Sequence, residues 1–140
     1  MRNRRIKSRE EGIALMASRS KAKSKCINGV CYNVYEYATS ASASMDLDDT
    51  NHPKLRIEQE IDIDGVTYPV TNVQMGGFRC HPELEEIIIP PSVNFLGAGA
   101  FSGCYSLKKI TVPSVDILRR EAFGSIIPEI EFTDYDDEDE

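Results

Sequence analysis

The sequence lacks any apolar run near the length of about 20 residues that a membrane-spanning helix requires. Its basic N-terminus is also not followed by the apolar stretch of about 7–15 residues that marks a secretory signal peptide. No Asn-X-Ser/Thr glycosylation site occurs in the chain. These absences argue against a membrane-spanning segment and predict a soluble protein located in the cytoplasm.

Cysteine is scarce, with four in 140 residues, which is too few for a small domain held together by disulfides. Without an export signal, free thiols are expected. Cys26 and Cys31 flank a predicted hairpin turn, and the sequence leaves open whether they pair. Cys80 and Cys104 fall at corresponding positions of a repeat described below, so both are predicted to be small buried residues.

Motifs for catalysis are also missing, including a Gly-x-Ser-x-Gly nucleophile, a phosphate-binding glycine loop and a metal-spaced cluster of His, Cys and Asp. His81 directly follows Cys80, but neighbouring side chains on an extended chain point apart, so a Cys/His nucleophile pair is not expected. His52 lies in an acidic segment and is expected to be solvated. The sequence therefore predicts no enzymatic activity, no cofactor and no metal site.

Charge is concentrated at the two ends of the chain, although the net charge is only −7. Residues 1–25 carry nine Lys or Arg and two Glu, whereas residues 129–140 carry eight acids and no base. Blocks of like charge repel each other and stay solvated. We therefore predict disordered tails at 1–25 and 133–140, of which the basic one could tether the protein to nucleic acid or an anionic membrane.

Two β-hairpins are predicted within residues 26–69, where they would cap a repeat region. Asn28-Gly29 can adopt the positive φ angles of a tight turn before a strand at 30–37. Asp64-Gly65, flanked by alternating β-branched and aromatic residues, predicts a second hairpin that pairs Ile61–Ile63 with Val66–Tyr68.

The segment between the hairpins, residues 38–53, begins with small residues and ends with several acids. Small and acidic composition of this kind is typical of a flexible loop, which is the prediction for this segment.

A repeat of 22–23 residues begins at Val70. Three columns of apolar residues keep this spacing, namely Val70, Val93 and Val115, then Val73, Leu96 and Leu118, and finally Phe78, Phe101 and Phe123. A constant period in the twenties is typical of a leucine-rich-repeat solenoid, in which stacked turns share a continuous core. Residues 70–132 are thus predicted to form two full repeats and a partial third, with the phenylalanines stacked.

The repeats carry the pattern Leu-x-x-Ile-x-Ile/Val, which predicts short parallel strands near 84–90, 107–113 and 130–135. The inward-pointing residues are Leu84, Ile87 and Ile89 in the first unit, and Leu107, Ile110 and Val112 in the second. In the third unit Ile130 is aligned two periods after Leu84. The predicted fold class is a β-rich leucine-rich-repeat solenoid, capped by the N-terminal hairpins.

Residues between the inward positions face outward, and stacking then places Glu85 beside Lys108 and Glu131, and Glu86 beside Lys109. Opposite charges on neighbouring strands favour this register by about 0.2–1 kcal/mol per pair. The exposed strand face is the candidate binding surface, and its residues are Glu85, Glu86, Ile88, Lys108, Lys109 and Thr111.

The segment from Val93 to Pro113 resembles the BspA-type leucine-rich repeat, whose units read V-x-x-I-G-x-x-A-F-x-x-C-x-x-L-x-x-I-x-I-P. The unit from Val73 to Pro90 matches with one residue missing between Phe78 and Cys80, and Asp64 to Thr71 resembles the segment that often precedes the first repeat. This resemblance implies a right-handed, non-catalytic binding solenoid of a kind that is often exposed on the surface of bacteria and protists.

The leading functional hypothesis is a protein-binding module that presents the strand face to a partner, whose identity the sequence does not give. Surface adhesion is the alternative implied by the resemblance, with the cell surface as its location. Two further alternatives are self-association through the C-terminal end of the solenoid, which has no obvious cap, and the electrostatic tether formed by residues 1–25.

Overall fold

The computed structural model describes residues 22–132. Within them the chain forms ten strands, a 3-10 helix at Val115–Ile117 and the short helix α1 at Arg120–Phe123. The strands are β1 Ala22–Ile27, β2 Val30–Tyr35, β3 Ala41–Met45, β4 Lys54–Arg56, β5 Glu60–Ile63, β6 Val66–Val73, β7 Glu86–Ile88, β8 Phe95–Leu96, β9 Lys109–Val112 and β10 Glu129–Phe132.

Four strands stack in parallel in the order β10-β9-β7-β4, and we call them the repeat sheet. In its central row Leu55 pairs with Ile87, Ile87 with Ile110, and Ile110 with Ile130. The three strands predicted from the Leu-x-x-Ile pattern are therefore present, and they are parallel as expected.

The second sheet follows the order β1-β2-β3-β6-β5, with β8 paired to β6. Strands β3, β6 and β8 run parallel to one another, whereas β1, β2 and β5 form antiparallel hairpin pairs with their neighbours. This combination of stacked parallel strands and short returns is a sheet-based, solenoid-like fold, as the sequence predicted.

A single apolar core contains side chains from both sheets. At its centre the rings of Phe78, Phe101 and Phe123 stack with 5.6 Å between successive centroids and nearly parallel planes. The predicted phenylalanine column is thus confirmed. A Cβ on Gly97 would approach the backbone nitrogen of Met75 to 2.5 Å, so only glycine fits where the backbone at Gly97 passes the backbone at Met75.

Both predicted hairpins are present with the predicted turns. Asn28 and Gly29 have φ angles of 51° and 88°, and Asp64 and Gly65 have 55° and 83°. Positive φ at two consecutive turn residues is what a two-residue hairpin turn of type I′ requires. In the second hairpin Ile61 lies opposite Tyr68, which is the predicted pairing.

The predicted flexible loop at 38–53 is wrong in its centre, because Ala41–Met45 forms strand β3 between β2 and β6. The alanines at 41 and 43 are fully buried. Their alternation with serine has the strand period of two, but methyl groups give a weak hydrophobic signal. Such small side chains suit a crowded position, since a Cβ on Gly77 would already lie 3.0 Å from the carbonyl oxygen of Ala43.

Two boundaries also differ from the prediction. The basic tail was placed at 1–25, but β1 begins at Ala22; the rest of that tail and the acidic tail at 133–140 lie outside the described residues. Strand β4 at Lys54–Arg56 joins the repeat sheet from within the segment assigned to the hairpins. The predicted number of repeats and the capping role of the hairpins stay predictions.

The third repeat has a different register from the one predicted. Ile130 lies opposite Ile110, so it belongs to the row of Ile87 and not to that of Leu84. Ile110 lies nine positions after Phe101, whereas Ile130 lies only seven positions after Phe123. The segment from the phenylalanine to the strand, which we call the return, is therefore two residues shorter in the third repeat. Sequence spacing alone does not show where in the return these two residues are missing.

Cys80 does not occupy the position of Cys104. The repeat needs no gap, because His81 lies three positions after Phe78, just as Cys104 lies three positions after Phe101. His81 donates its backbone N–H to the carbonyl of Phe78 at 3.1 Å, and Cys104 donates its backbone N–H to the carbonyl of Phe101 at 3.2 Å. Cys104 is buried as predicted, but Cys80 is exposed and the prediction for it is wrong.

Candidate protein-binding surface

The outward face of the repeat sheet carries a row of alternating charges. Lys54, Glu86, Lys109 and Glu129 are consecutive register partners across the four strands. Because side chains of successive residues point to opposite faces, this row lies on the side away from the buried Leu55-to-Ile110 row. Lys54 and Glu129 were not predicted, and they extend the candidate surface to both edges of the sheet.

Ion pairs connect Lys54, Glu86 and Lys109 of this row, and the pair to β10 is made by Glu131 instead of Glu129. The side-chain nitrogen-to-oxygen distances are 3.8 Å for Lys54–Glu86, 3.7 Å for Glu86–Lys109 and 3.6 Å for Lys109–Glu131. Exposed pairs of this kind contribute about 0–1 kcal/mol each to stability. Their main effect is to hold long side chains in a defined pattern of alternating sign.

Glu85 and Lys108 lie one residue before β7 and β9, and they form a pair with a nitrogen-to-oxygen distance of 3.7 Å. The backbone stacks here as well, since Glu85 donates to the carbonyl of Pro53 at 2.7 Å and Lys108 donates to the carbonyl of Glu85 at 2.8 Å. The predicted neighbours Glu85 and Lys108, and likewise Glu86 and Lys109, are thus brought together.

Thr111 faces the same side as its register partners Ile88 and Glu131, but it is only 4% exposed. Its short side chain lies on an inner strand between two longer ones, which cover it. Thr111 is therefore part of the support of this face and not of its accessible surface, contrary to the prediction. Ile88 is half-buried.

Glu131 was predicted beside Lys108, but the shorter third return places it opposite Thr111. Its carboxylate consequently reaches Lys109. We define the charged strand face as Lys54, Glu85, Glu86, Lys108, Lys109, Glu129 and Glu131.

Away from this face, Cys26 and Cys31 form a disulfide between β1 and β2, which decides the pairing that the sequence left open. Sulfur atoms of this pair and a carboxylate oxygen of Asp46 lie within 4.8 Å of one another, the one group of three potential metal ligands in residues 22–132. In the disulfide neither sulfur is a thiolate, the form that binds metal. The group as it stands is therefore not a metal site.

Two buried titratable groups lie in the repeat turns. Burial lowers the pKa of His81, partly offset by the Glu83 carboxylate. Its Nδ1 accepts hydrogen bonds from the backbone N–H groups of Glu83 and Leu84, so the ring closes the turn in its neutral form. Burial raises the pKa of the Cys104 thiol, which donates to the carbonyl of Phe78. Both side chains have structural roles.

His52 is half-buried and its Nε2 lies 2.8 Å from the carboxylate of Asp49.

Comparison with known sequences decides the family. Residues 59–134, more than half of the chain, match the sequence profile described as the BspA type leucine-rich repeat region. The chain belongs to the BspA-type leucine-rich repeat family. Among curated proteins, none is similar enough to count as a match.

Solved structures of bacterial leucine-rich repeat proteins share the fold. A protein from Bacteroides capillosus has a TM-score of 0.58 at 14% identity, with 79% of this chain and 98% of that chain covered. A protein from Bacteroides ovatus has a TM-score of 0.56 at 22% identity, covering 66% of this chain and 24% of that one.

A third structure, of a leucine-rich cell surface protein from Faecalibacterium prausnitzii, has a TM-score of 0.52 at 19% identity. It covers 72% of this chain, but this chain spans only 25% of its length. These likenesses establish the fold. Among residues 22–132, no helix is long and apolar enough to cross a membrane.

Proposed function

We propose that this BspA-type chain is a non-catalytic protein-binding module that presents its charged strand face to a protein partner. The observation that carries the proposal is the alternating row of charge across four parallel strands. A row in which the sign changes at every strand matches a partner that carries the opposite alternation. Electrostatic complementarity of this kind gives specificity and register more than affinity.

The test is affinity capture with a doubly reversed face, Glu86→Lys with Lys108→Glu. The double change keeps the net charge but breaks the alternation. It removes three surface pairs that contribute about 0–1 kcal/mol each, so circular dichroism first establishes that the variant is folded. We expect the variant to lose the proteins that the wild-type chain retains.

The matched control is Glu36→Lys with Arg79→Glu, an equal exchange of exposed charges outside the face. This variant should retain the wild-type partners. If the reversed face also retains them, the assignment of the face is wrong.

A second candidate function is self-association at the C-terminal end of the repeat sheet. Three apolar side chains support it, since Ile127, Ile130 and Phe132 are 86%, 38% and 56% exposed. Two copies that stack through their C-terminal edges would bury these side chains.

Sedimentation of the wild-type chain and of Phe132→Asp tests this second function. Self-association predicts a mass that rises with concentration in the wild type and stays monomeric in the variant. A wild-type monomer at high concentration contradicts it.

Location and the remaining alternatives are also proposals. No relative supports the cytoplasmic location expected from the sequence, and one similar structure is described as a cell surface protein. We therefore propose the cell surface, with adhesion as the corresponding role, and surface labelling of intact cells tests it.

The tether formed by residues 1–25 predicts binding to anionic vesicles or nucleic acid that high salt abolishes.

A further inference from the structure

A groove of about 460 Å³ lies on the second sheet, away from the charged strand face. Its volume falls within the range of about 300–1,000 Å³ that is typical of ligand sites. Its polar part is formed by Asn33 of β2, the buried Ser42 of β3 and Gln74, which directly follows β6. Tyr35, Phe95 and Arg119 form its sides.

The polar part is held in place by hydrogen bonds. The Oε1 atom of Gln74 accepts from Asn33 Nδ2 and from Ser42 Oγ at 3.0 Å each, and from the Tyr35 hydroxyl at 3.4 Å. Asn33 is fixed further, because its Oδ1 accepts from Ser24 Oγ at 2.8 Å and its Nδ2 also donates to Ser44 Oγ at 3.0 Å. With the Gln74 oxygen used in these three bonds, the N–H donors of its amide nitrogen stay available to another partner.

The sides of the groove are aromatic and partly open to solvent. Tyr35 is 47% exposed and Phe95 is 45% exposed. The guanidinium carbon of Arg119 lies 4.6 Å from the centre of the Phe95 ring, which restrains both side chains. Rings held in this way offer apolar contact area at a low entropic cost to a ligand that binds beside them.

Charge and topology narrow the class of ligand. Among the groove-lining residues of the described chain, Arg119 is the one with a charged side chain, and it lies 3.7 Å from Glu121. A nearly neutral groove does not suit a nucleic acid, whose binding depends on phosphate neutralisation. Strand β3 is already paired on both edges, with β2 and β6, so a peptide cannot add to it as a strand.

We propose that this groove binds a neutral oligosaccharide. Sugar hydroxyl oxygens accept hydrogen bonds, which suits the N–H groups of the Gln74 amide, while Asn33 and Ser42 hold that side chain in place. The apolar C–H faces of sugar rings pack against Tyr35 and Phe95. The site is independent of the charged strand face, so the two surfaces are tested separately.

Maltotetraose, cellotetraose and chitotetraose are the probes, each added at millimolar concentration to the full chain labelled with nitrogen-15. We expect at least one of them to give saturable chemical-shift changes in the side-chain amide signals of Asn33 and Gln74. The double variant Tyr35→Ala with Phe95→Ala should bind that sugar about tenfold or more weakly, which corresponds to 1.4 kcal/mol or more.

The matched control is Tyr105→Ala with Phe132→Ala, which removes two exposed aromatic rings outside the groove. It should bind like the wild type, and amide spectra of both variants establish that the chain stays folded. A third variant, Gln74→Glu, keeps the side-chain shape but removes the N–H donors, and it should also weaken binding. The proposal is overturned if no probe gives saturable shifts, if the Tyr35/Phe95 variant binds unchanged, or if only a polyanion such as dextran sulfate binds.

Discussion

The two edges of the repeat sheet carry the same kind of side chain in very different surroundings. Leu55, Ile87, Ile110 and Ile130 form one row, and their exposed fractions are 3%, 0%, 0% and 38%. Leu55 on the first strand is buried almost as completely as the two inner residues, whereas Ile130 on the last strand is not. An apolar side chain in a stacked array is therefore buried by the strands on both sides of it. The residue type alone does not decide whether that side chain is buried.

The difference arises from what lies beyond each edge strand. The hairpin turn at Asn28-Gly29 reaches Leu55 so closely that a Cβ on Gly29 would lie 3.0 Å from its Cδ2 atom. The hydroxyl of Tyr32, in the same hairpin, accepts a hydrogen bond from the backbone N–H of Glu58, just after β4. No comparable element covers β10 among residues 22–132. We propose that the β1–β2 hairpin closes the first edge.

The largest expected effect comes from truncating this row to alanine. Leu55→Ala and Ile87→Ala should each lower the free energy of unfolding by about 2–5 kcal/mol, the usual cost of a large-to-small change in a core. Ile130→Ala should cost only about 1 kcal/mol or less, because its side chain already contacts solvent. Urea unfolding followed by circular dichroism measures all three.

Ile87→Ala is the internal control, since that residue has a strand on each side. An Ile130→Ala cost as large as that of Ile87→Ala would contradict an open C-terminal edge. If the free-energy cost of Ile130→Ala rose with protein concentration, a second copy of the chain would be covering Ile130.

A smaller effect should follow from reducing the disulfide between Cys26 and Cys31. A bridge that closes so short a segment stabilises a chain by about 2 kcal/mol, since the entropy term grows with loop length. Reductant should therefore lower the urea midpoint of the wild-type chain and of Cys80→Ser, which keeps the bridge. The double variant Cys26→Ser with Cys31→Ser should not respond. An equal response in this double variant would show that the reductant acts elsewhere.

The pH dependence of stability should be the smallest of the three effects, and it tests the turn after Phe78. Because burial lowers the pKa of His81, the unfolded chain binds its proton at a higher pH than the folded chain. Stability contributed by the neutral ring is therefore present at neutral pH and is lost as the pH falls below about 6.5, the usual pKa of histidine.

His81→Asn is the matched variant, because an Asn Oδ1 atom can accept the same backbone N–H groups and does not titrate. The carboxylates are common to both proteins, so the difference between their stability curves isolates His81. Identical slopes between pH 7 and pH 5 would contradict this role.

Much of the fold was predictable because strong side chains mark it at a fixed spacing. The phenylalanine column, the first two Leu-x-x-Ile strands and the Asp64-Gly65 hairpin were placed correctly, whereas the register of the third strand was not. Strand β3 was missed, because alternating Ala and Ser carries the strand period with almost no hydrophobic contrast. Burial of alanine there depends on how closely the neighbouring chain passes, which is a property of the packed molecule.

The candidate strand face was only partly predictable. The pairs Glu85–Lys108 and Glu86–Lys109 follow from the repeat length, because equal spacing in sequence becomes direct contact between stacked strands. The positions of Glu131 and Thr111 did not follow, since the third return is two residues shorter and Thr111 is covered by longer neighbours. The groove on the second sheet had no signal in the sequence, because its residues come from separate repeats and hairpins.

By itself, the sequence determined the family, the repeat period, the inward columns and the turns, because each depends on residues close together in the chain or at a constant spacing. Tertiary structure decided which strand lies at an edge, that His81 and not Cys80 fills the cysteine position, that Cys26 and Cys31 pair, and where a groove opens. The sheet edges and the groove depend on contacts between segments far apart in the chain, because burial and register are set only when those segments pack together. The Cys26–Cys31 bridge and the bond from His81 to Phe78 join residues close in the chain, but the sequence pattern alone left both undecided.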